Sequence, residues 1–154
     1  KESAFLPGMP APEIEGVDFD GVALKLSEHR GKVVVLDFWA DWCPPCQQMW
    51  PHERQLVEDL KDAPFAMVGV YSGKQSTLQK LINEKTVTWK NWIEDGESPI
   101  ATKWRVSGFP TIYVLDHDGV IRYQAVGYVT DAQLSKWVQE LVAKVPKTAP
   151  PAAP

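Results

Sequence analysis

Cysteine is nearly absent from this chain: Cys43 and Cys46 are the only two in 154 residues. A cross-link between them would close almost no loop, so it would constrain the unfolded chain very little and is a poor structural staple. No second Cys-x-x-Cys occurs, so the pair supplies at most half of a common zinc site. No apolar run approaches the roughly 20 residues that cross a bilayer as a helix. Lysine and arginine are unclustered and outnumbered, 16 against 20 acidic residues for a net charge of −4, which removes the electrostatic footprint of a nucleic-acid binder. There is no internal repeat and no c-type haem attachment motif.

What is present is enough apolar material for one ordinary core, 44% of the chain with seven tryptophans, so one compact domain is expected over residues 13–145. Pro7, Pro10 and Pro12 make residues 1–12 an extended N-terminal segment, and the Pro-rich stretch 146–154 reads as a disordered tail, linker or stalk. The chain starts at Lys1 without an initiator methionine, from which removal of a leader, an anchor or a preceding domain is expected.

Between these ends, Asp20-Gly21 separates Val17–Phe19 from Val22–Leu26 as a small hairpin, and Ser27 starts a short helical turn. Val33–Trp39, apolar except for Asp37, is too short and too β-branched for a helix and reads as a buried parallel strand. Met49, Leu56 and Leu60, with Trp50 and Val57 beside them, recur at helical spacing from Cys43 to Leu60. Pro44 and Pro45 suit its first turn, while Pro51 falls inside and should kink it. Phe65–Tyr71 is the next buried strand; Ser76 and Gln79 read as a capping box for a helix burying Leu78, Leu81 and Ile82; Trp89–Ile93 reads as a short strand. Ser98-Pro99 should cap and open a short helix through Trp104. A hairpin of Thr111–Leu115 and Val120–Val126 follows, its second strand alternating as an edge strand does. Thr130 and Gln133 cap a last helix whose apolar face includes Leu134, Trp137, Val138 and Leu141. The sum is an α/β sandwich around a mixed sheet.

Cys43 lies where a helix begins, and unpaired amides there favour negative charge, so its thiolate is expected to be stabilised and exposed as the nucleophile. Cys46 lies one turn in and deeper, and serves as the resolving thiol: Cys43 attacks a disulfide, and Cys46 then displaces the product from the mixed disulfide. Asp37 is the one charge on a buried strand, so desolvation should raise its pKa and make it a candidate proton acceptor.

Trp42-Cys43-Pro44-Pro45-Cys46, Pro51, and Gly108-Phe109-Pro110-Thr111 occur in the order in which the thioredoxin fold uses such motifs. The chain is identified as a member of the TlpA/ResA-like thiol-disulfide oxidoreductases. The stretch Ala11–Lys32 resembles that group's N-terminal extension, and Ser76–Trp89 resembles its central helix-strand insert. The resemblance implies a mixed central sheet flanked by helices, a cis Phe109-Pro110 bond beside the sulfurs, substrate strands pairing with the Phe109 backbone, and Gly127 packed beside that loop. Trp42 and Phe109 would offer apolar substrate contacts. Thioredoxin carries an aspartate at the position of Asp37, where it helps take the resolving thiol's proton through water. The accompanying lysine has no match here; Lys74 is merely nearest.

The function expected is reduction of disulfides in partner proteins. No cofactor and no nucleic acid are implied, and the protein is expected to be a monomer, reduced by an upstream thiol donor such as a membrane thiol transporter. Resemblance to an exported or membrane-tethered family implies a place outside the cytoplasm, in the periplasm or on the outer face of the membrane, with a tether in the full-length protein. Pro44-Pro45 offers Cys43 neither a charge nor an amide donor, so a potential nearer about −270 mV than about −120 mV is expected. Alternatives are a peroxiredoxin-like peroxidase and a metallochaperone or redox sensor using Cys43, Cys46, His52 and His117. Against these, Cys43 lacks the threonine and arginine of a peroxidase, and His29, His52 and His117 read as surface histidines, with no metal site expected.

Overall fold

A computed structural model describes residues 5–147. Five strands form the central sheet: β3 (Val33–Trp39), β4 (Phe65–Ser72), β5 (Lys90–Glu94), β6 (Thr111–Leu115) and β7 (Ile121–Val126). Their order is β5-β4-β3-β6-β7, with β3, β4 and β5 parallel and β6 and β7 antiparallel to their neighbours. All seven residues of β3 are buried, as expected of a central strand covered on both faces. β7 alternates between buried and open positions, the pattern of the edge it occupies. A separate two-stranded hairpin joins β1 (Glu15–Val17) to β2 (Ala23–Lys25).

Because side chains alternate along a strand, β3 divides the core in two. Val33, Val35 and Trp39 face α1 (Pro44–Asp59), α2 (Gln75–Asn83) and α4 (Asp131–Ala143). Val34, Leu36 and Phe38 face the β1–β2 hairpin, α3 (Pro99–Lys103) and the N-terminal segment. Asp37 falls on the α1 side by the same alternation. On the other side Trp104 stacks with Phe5 and meets Phe38 and Tyr113, and truncating such a ring costs about 3–5 kcal/mol. Trp92 Nε1 donates to the Leu24 carbonyl at 2.9 Å and pins the hairpin to β5. Within the sheet, Trp39 Nε1 donates to Asn91 Oδ1 at 2.8 Å, and a Cβ on Gly69 would collide with both groups.

The helix starts show where local pattern is sufficient. Thr130 Oγ1 accepts from the Gln133 amide at 3.1 Å, as its capping box predicts. Ser76 does not cap α2: Lys74 holds that position without a side-chain bond, because the Gly73 amide bonds the Glu94 carbonyl and the helix begins at once after β4. Ser98 precedes α3 as expected, but its hydroxyl makes no cap bond. Instead buried Glu94, at the end of β5, accepts from the Ile100 and Ala101 amides at 2.6 and 3.1 Å.

Within residues 5–12 the segment expected to be extended makes a turn, the Met9 amide donating to the Leu6 carbonyl at 3.1 Å with Gly8 at φ +95°, and it is bonded to the domain. Gly8 donates to the Ile121 carbonyl, Ile121 to that of Met9, and Ala11 to that of Gly119, at 2.7, 2.9 and 2.9 Å. Of the 146–154 stretch, residues 148–154 lie outside the described residues, as do residues 1–4.

Candidate active site

β3 ends at Trp39, and a turn of four residues delivers the chain to α1 with Cys43 at the N-cap in an extended conformation. Pro44 and Pro45 fill the next two positions, where a helix has no use for an amide and their fixed φ suits the entry. The first amide available to a capping group is therefore that of Cys46, and it donates to Cys43 Sγ at 3.2 Å. Sequence reasoning credited Cys43 with no amide donor from the two prolines; the donor comes from the residue after them. A sulfur in this place gains from one directed N–H and from the positive end of the helix, and both favour its thiolate.

Cys43 and Cys46 are joined as a disulfide with Cα atoms 5.2 Å apart. In this oxidised form both cysteines are buried, 3% and 2% exposed. The expected contrast between an open nucleophile and a shielded resolver is therefore not one of residue exposure. What separates them is the surrounding chain: Cys43 lies between exposed Trp42 and Pro44, whereas Cys46 is the first of the buried stripe of α1.

Opposite the sulfurs is the loop leading into β6. Its Phe109-Pro110 bond is cis, as the resemblance implied, and the Phe109 carbonyl oxygen lies 3.4 Å from Cys43 Sγ, within reach of a thiol proton once the disulfide is open. Two bonds hold this loop: Thr111 Oγ1 donates to the Gly108 carbonyl at 2.6 Å, and the Gly127 amide donates to the Pro110 carbonyl at 2.7 Å. Gly127 has φ +98°, a conformation other residues rarely adopt. Trp42, 66% exposed, meets the Phe109 ring edge-on at 5.8 Å. Both line an open groove of about 460 Å³ that continues past Ala101, Thr102 and Val106.

Asp37 lies at the middle of β3 and is 2% exposed. Burial raises its pKa to about 6, against a smaller opposing effect from Glu53. Among the described residues no basic group, Lys74 included, bears on Asp37. Glu53 was missed by sequence reasoning, yet it is 0% exposed on α1. The signal was available, since 53 lies four residues after Met49 and three before Leu56, on the apolar stripe. Burial first, and the charge of Asp37 second, hold Glu53 well above the usual carboxylate range.

The histidines are half-buried rather than fully at the surface. His52 faces α4, 3.7 Å from Asp131 and 3.5 Å from the Ser135 hydroxyl, and His117 lies 3.7 Å from Asp118. Neither pairing involves a cysteine. Among the described residues, no three or more His, Cys, Asp or Glu side chains group as metal ligands would.

Comparison with known proteins agrees with this geometry. The AhpC/TSA family profile matches residues 7–124. The thiol-disulfide oxidoreductase ResA of Bacillus anthracis is 26% identical over 135 residues, covering 87% of this chain and 78% of the relative. The thioredoxin-like protein YneN of Bacillus subtilis is 31% identical over 138 residues, covering 88% and 81%. Among solved structures, a Chlorobium tepidum protein provisionally named thiol:disulfide interchange protein DsbE superposes with a TM-score of 0.82 at 28% identity, covering 90% of this chain and 99% of that one. The thioredoxin domain of a Bacteroides vulgatus thiol-disulfide oxidoreductase gives 0.75 at 26%, covering 86% and 98%.

Proposed function

Because this chain belongs to the AhpC/TSA family of thioredoxin-fold proteins and is a thiol-disulfide oxidoreductase, we propose that it is a protein-disulfide reductase whose electrons leave through Cys43. The observation that carries this reading is the capped sulfur: Cys43 Sγ receives the Cys46 amide at 3.2 Å and faces the Phe109 carbonyl at 3.4 Å. In the reduced protein the Cys43 thiolate attacks one sulfur of a substrate disulfide, and the other substrate sulfur leaves with the electron pair and takes a proton. Cys46 then loses its proton to Asp37 and attacks Cys43 Sγ. The Cys43–Cys46 bond forms, the mixed disulfide breaks, and the second substrate thiol departs, so two thiols are oxidised for one disulfide reduced. Trp42, Phe109 and Pro110 form the substrate side, with the extended backbone of a partner laid beside Phe109.

One amide and a helix end stabilise the thiolate without any charged neighbour from the Pro44-Pro45 pair. This supports a reductant with a potential nearer about −270 mV than about −120 mV. The likeness to ResA- and DsbE-named proteins supports a place outside the cytoplasm, tethered in the full-length protein, with a membrane thiol transporter as upstream donor. A site complete within one chain supports a monomer. Among the described residues no helix is long and apolar enough to cross a membrane.

Insulin reduction followed beside peroxide consumption tests the direction of the chemistry. Rapid turbidity with negligible peroxide loss is expected, and the reverse makes the protein a peroxiredoxin-like peroxidase. Cys46→Ser should accumulate mixed disulfides on Cys43; accumulation in Cys43→Ser instead reverses the two roles. Equilibration with a dithiothreitol buffer fixes the potential, and a value above about −180 mV removes the reductant reading.

A further inference from the structure

α1 buries one stripe of side chains, Cys46, Met49, Glu53 and Leu56. A helix advances about 1.5 Å per residue and returns to nearly the same side after seven, so Glu53 lies roughly 10 Å below Cys46 on the stripe that faces the sheet. Asp37 meets it there from β3, and each carboxyl is the group that most directly bears on the other. Among the described residues, neither oxygen of Glu53 nor Oδ1 of Asp37 accepts a hydrogen bond from an N–H or hydroxyl group.

Among the described residues no cation bears on either carboxyl. Opposite Asp37, β6 presents Ile112 and β4 presents Gly69, and α4 contributes Leu134 and Val138 to this side of the core. Other titratable groups of the same elements point elsewhere: His52 faces Asp131 of α4, Arg54 donates to the Thr86 carbonyl, Glu58 and Asp59 accept from Lys61 and Gln55, Tyr71 of β4 donates to Asp41, Tyr113 of β6 accepts from Gln124, Glu140 of α4 accepts from Tyr123, and Lys136 of α4 is exposed. Besides Asp37 and Glu53, Cys46 is the one titratable group on the buried stripe. Two buried carboxylates without a cation cannot both be ionised at modest cost, whereas one proton held between them gives a donor and an acceptor that satisfy each other.

We propose that Asp37 and Glu53 form one proton-sharing acid pair, in which Glu53 is a positioning residue that donates its carboxyl hydrogen to the Asp37 carboxylate and keeps it poised to accept the proton of Cys46. The destination of that proton rests on the reductase reading; the pairing does not. In the resolving step Cys46–SH and Asp37–COO⁻ become Cys46–S⁻ and Asp37–COOH. The thiolate displaces the substrate sulfur from Cys43, the leaving thiolate takes its proton from water, and the pair returns its extra proton to solvent. Burial pushes both carboxyls in the direction this requires, Asp37 to about 6 and Glu53 well above the usual carboxylate range.

The test is carboxyl-carbon NMR titration of the reduced protein together with the pH profile of single-turnover resolution, on wild type, Glu53→Leu and Glu53→Gln. In wild type one buried carboxyl should remain protonated after Asp37 has titrated near 6. Glu53→Leu removes the donor, so the Asp37 midpoint and the kinetic profile should both rise by about one pH unit or more. Glu53→Gln keeps a donor but no acid: the Asp37 midpoint should stay within about half a unit and the high-pH carboxyl signal should vanish. If wild type has both carboxyls ionised at pH 7, or if Glu53→Leu leaves midpoint and profile unmoved, the pair is overturned. Should Glu53→Leu fail to fold, Glu53→Gln decides: persistence of the high-pH signal overturns the assignment. Midpoints that move as expected in a protein unable to reduce insulin would leave the pair standing and remove the reductase reading.

Discussion

Asp18 and Asp116 are nearly as buried as Asp37, at 6% and 7% against 2% exposure, yet the chain treats them in the opposite way. Each opens the same local sequence, Asp-x-Asp-Gly-Val, at the turn of a hairpin. In each, Oδ1 accepts two backbone amides, those of Asp20 and Val22 at 2.8 and 3.0 Å, and those of Asp118 and Val120 at 2.9 and 3.0 Å. Oδ2 then takes a cation, Lys90 at 3.3 Å or Arg122 at 2.7 Å. Burial alone would raise both carboxyls, but these donors outweigh it and hold them below the ordinary range. Asp37 and Glu53 have only each other. A buried acid with a full set of donors builds a turn, and one stripped of donors is left able to change its protonation.

Four measurements can break or sharpen this contrast. The largest effect is expected from Asp37→Asn, which should slow resolution of the mixed disulfide about 100-fold, a modest share for a lost proton acceptor, while raising Tm at neutral pH. Unchanged single-turnover rates from pH 6 to 9 would return Asp37 to the structural class. Asp116→Ala should do the reverse: unfolding in urea should show a loss of about 2 kcal/mol, since two amides and a guanidinium lose their acceptor, with insulin reduction intact. Asp18→Ala should cost less, about 1 kcal/mol, because its cation Lys90 is 62% exposed and well solvated.

The remaining measurement is the pH dependence of stability, where the two classes have opposite signs. Asp18 and Asp116, depressed in the fold, contribute stability that is complete above their ordinary value of 3.8 and lost as pH falls through their folded values. Asp37, raised to about 6, makes the folded chain hold a proton the unfolded one has released, so stability declines as pH rises from about 3.8 to about 6. Urea midpoints from pH 3 to 8 should therefore rise and then sag, and Asp37→Asn should shrink the sag to the part that Glu53, raised first by its own burial, contributes, leaving the rise in place.

The sequence made the parts of the site with local signatures legible. β3 announces itself as a β-branched run, the dithiol as a strand-to-helix junction with two prolines, and Thr130 as a cap matched by its own Gln133. What it hid depends on partners that are distant or on a face. Glu53 looks like one more charge on an amphipathic helix until the stripe through Cys46, Met49 and Leu56 is drawn. Glu94 caps α3 from the preceding strand, which no reading of Ser98-Pro99 could anticipate. Ser76 had the composition of a capping box without the place, because α2 begins earlier. The shielding of Cys43 comes from residues 66 positions away in the chain at Phe109.

The Cys46 amide has a consequence for how the protein can be watched. Between Cys43 and Pro51 the residues Pro44, Pro45 and Pro51 carry no N–H, so few amide signals arise from the start of α1, and one of them ends on the attacking sulfur. The nitrogen-bound hydrogen of Cys46 thus reports the electron density at Cys43 Sγ, moving downfield and exchanging more slowly with deuterium as the sulfur acquires full negative charge. A single resonance in an amide correlation spectrum would follow the nucleophile through its working cycle, without a label on either cysteine.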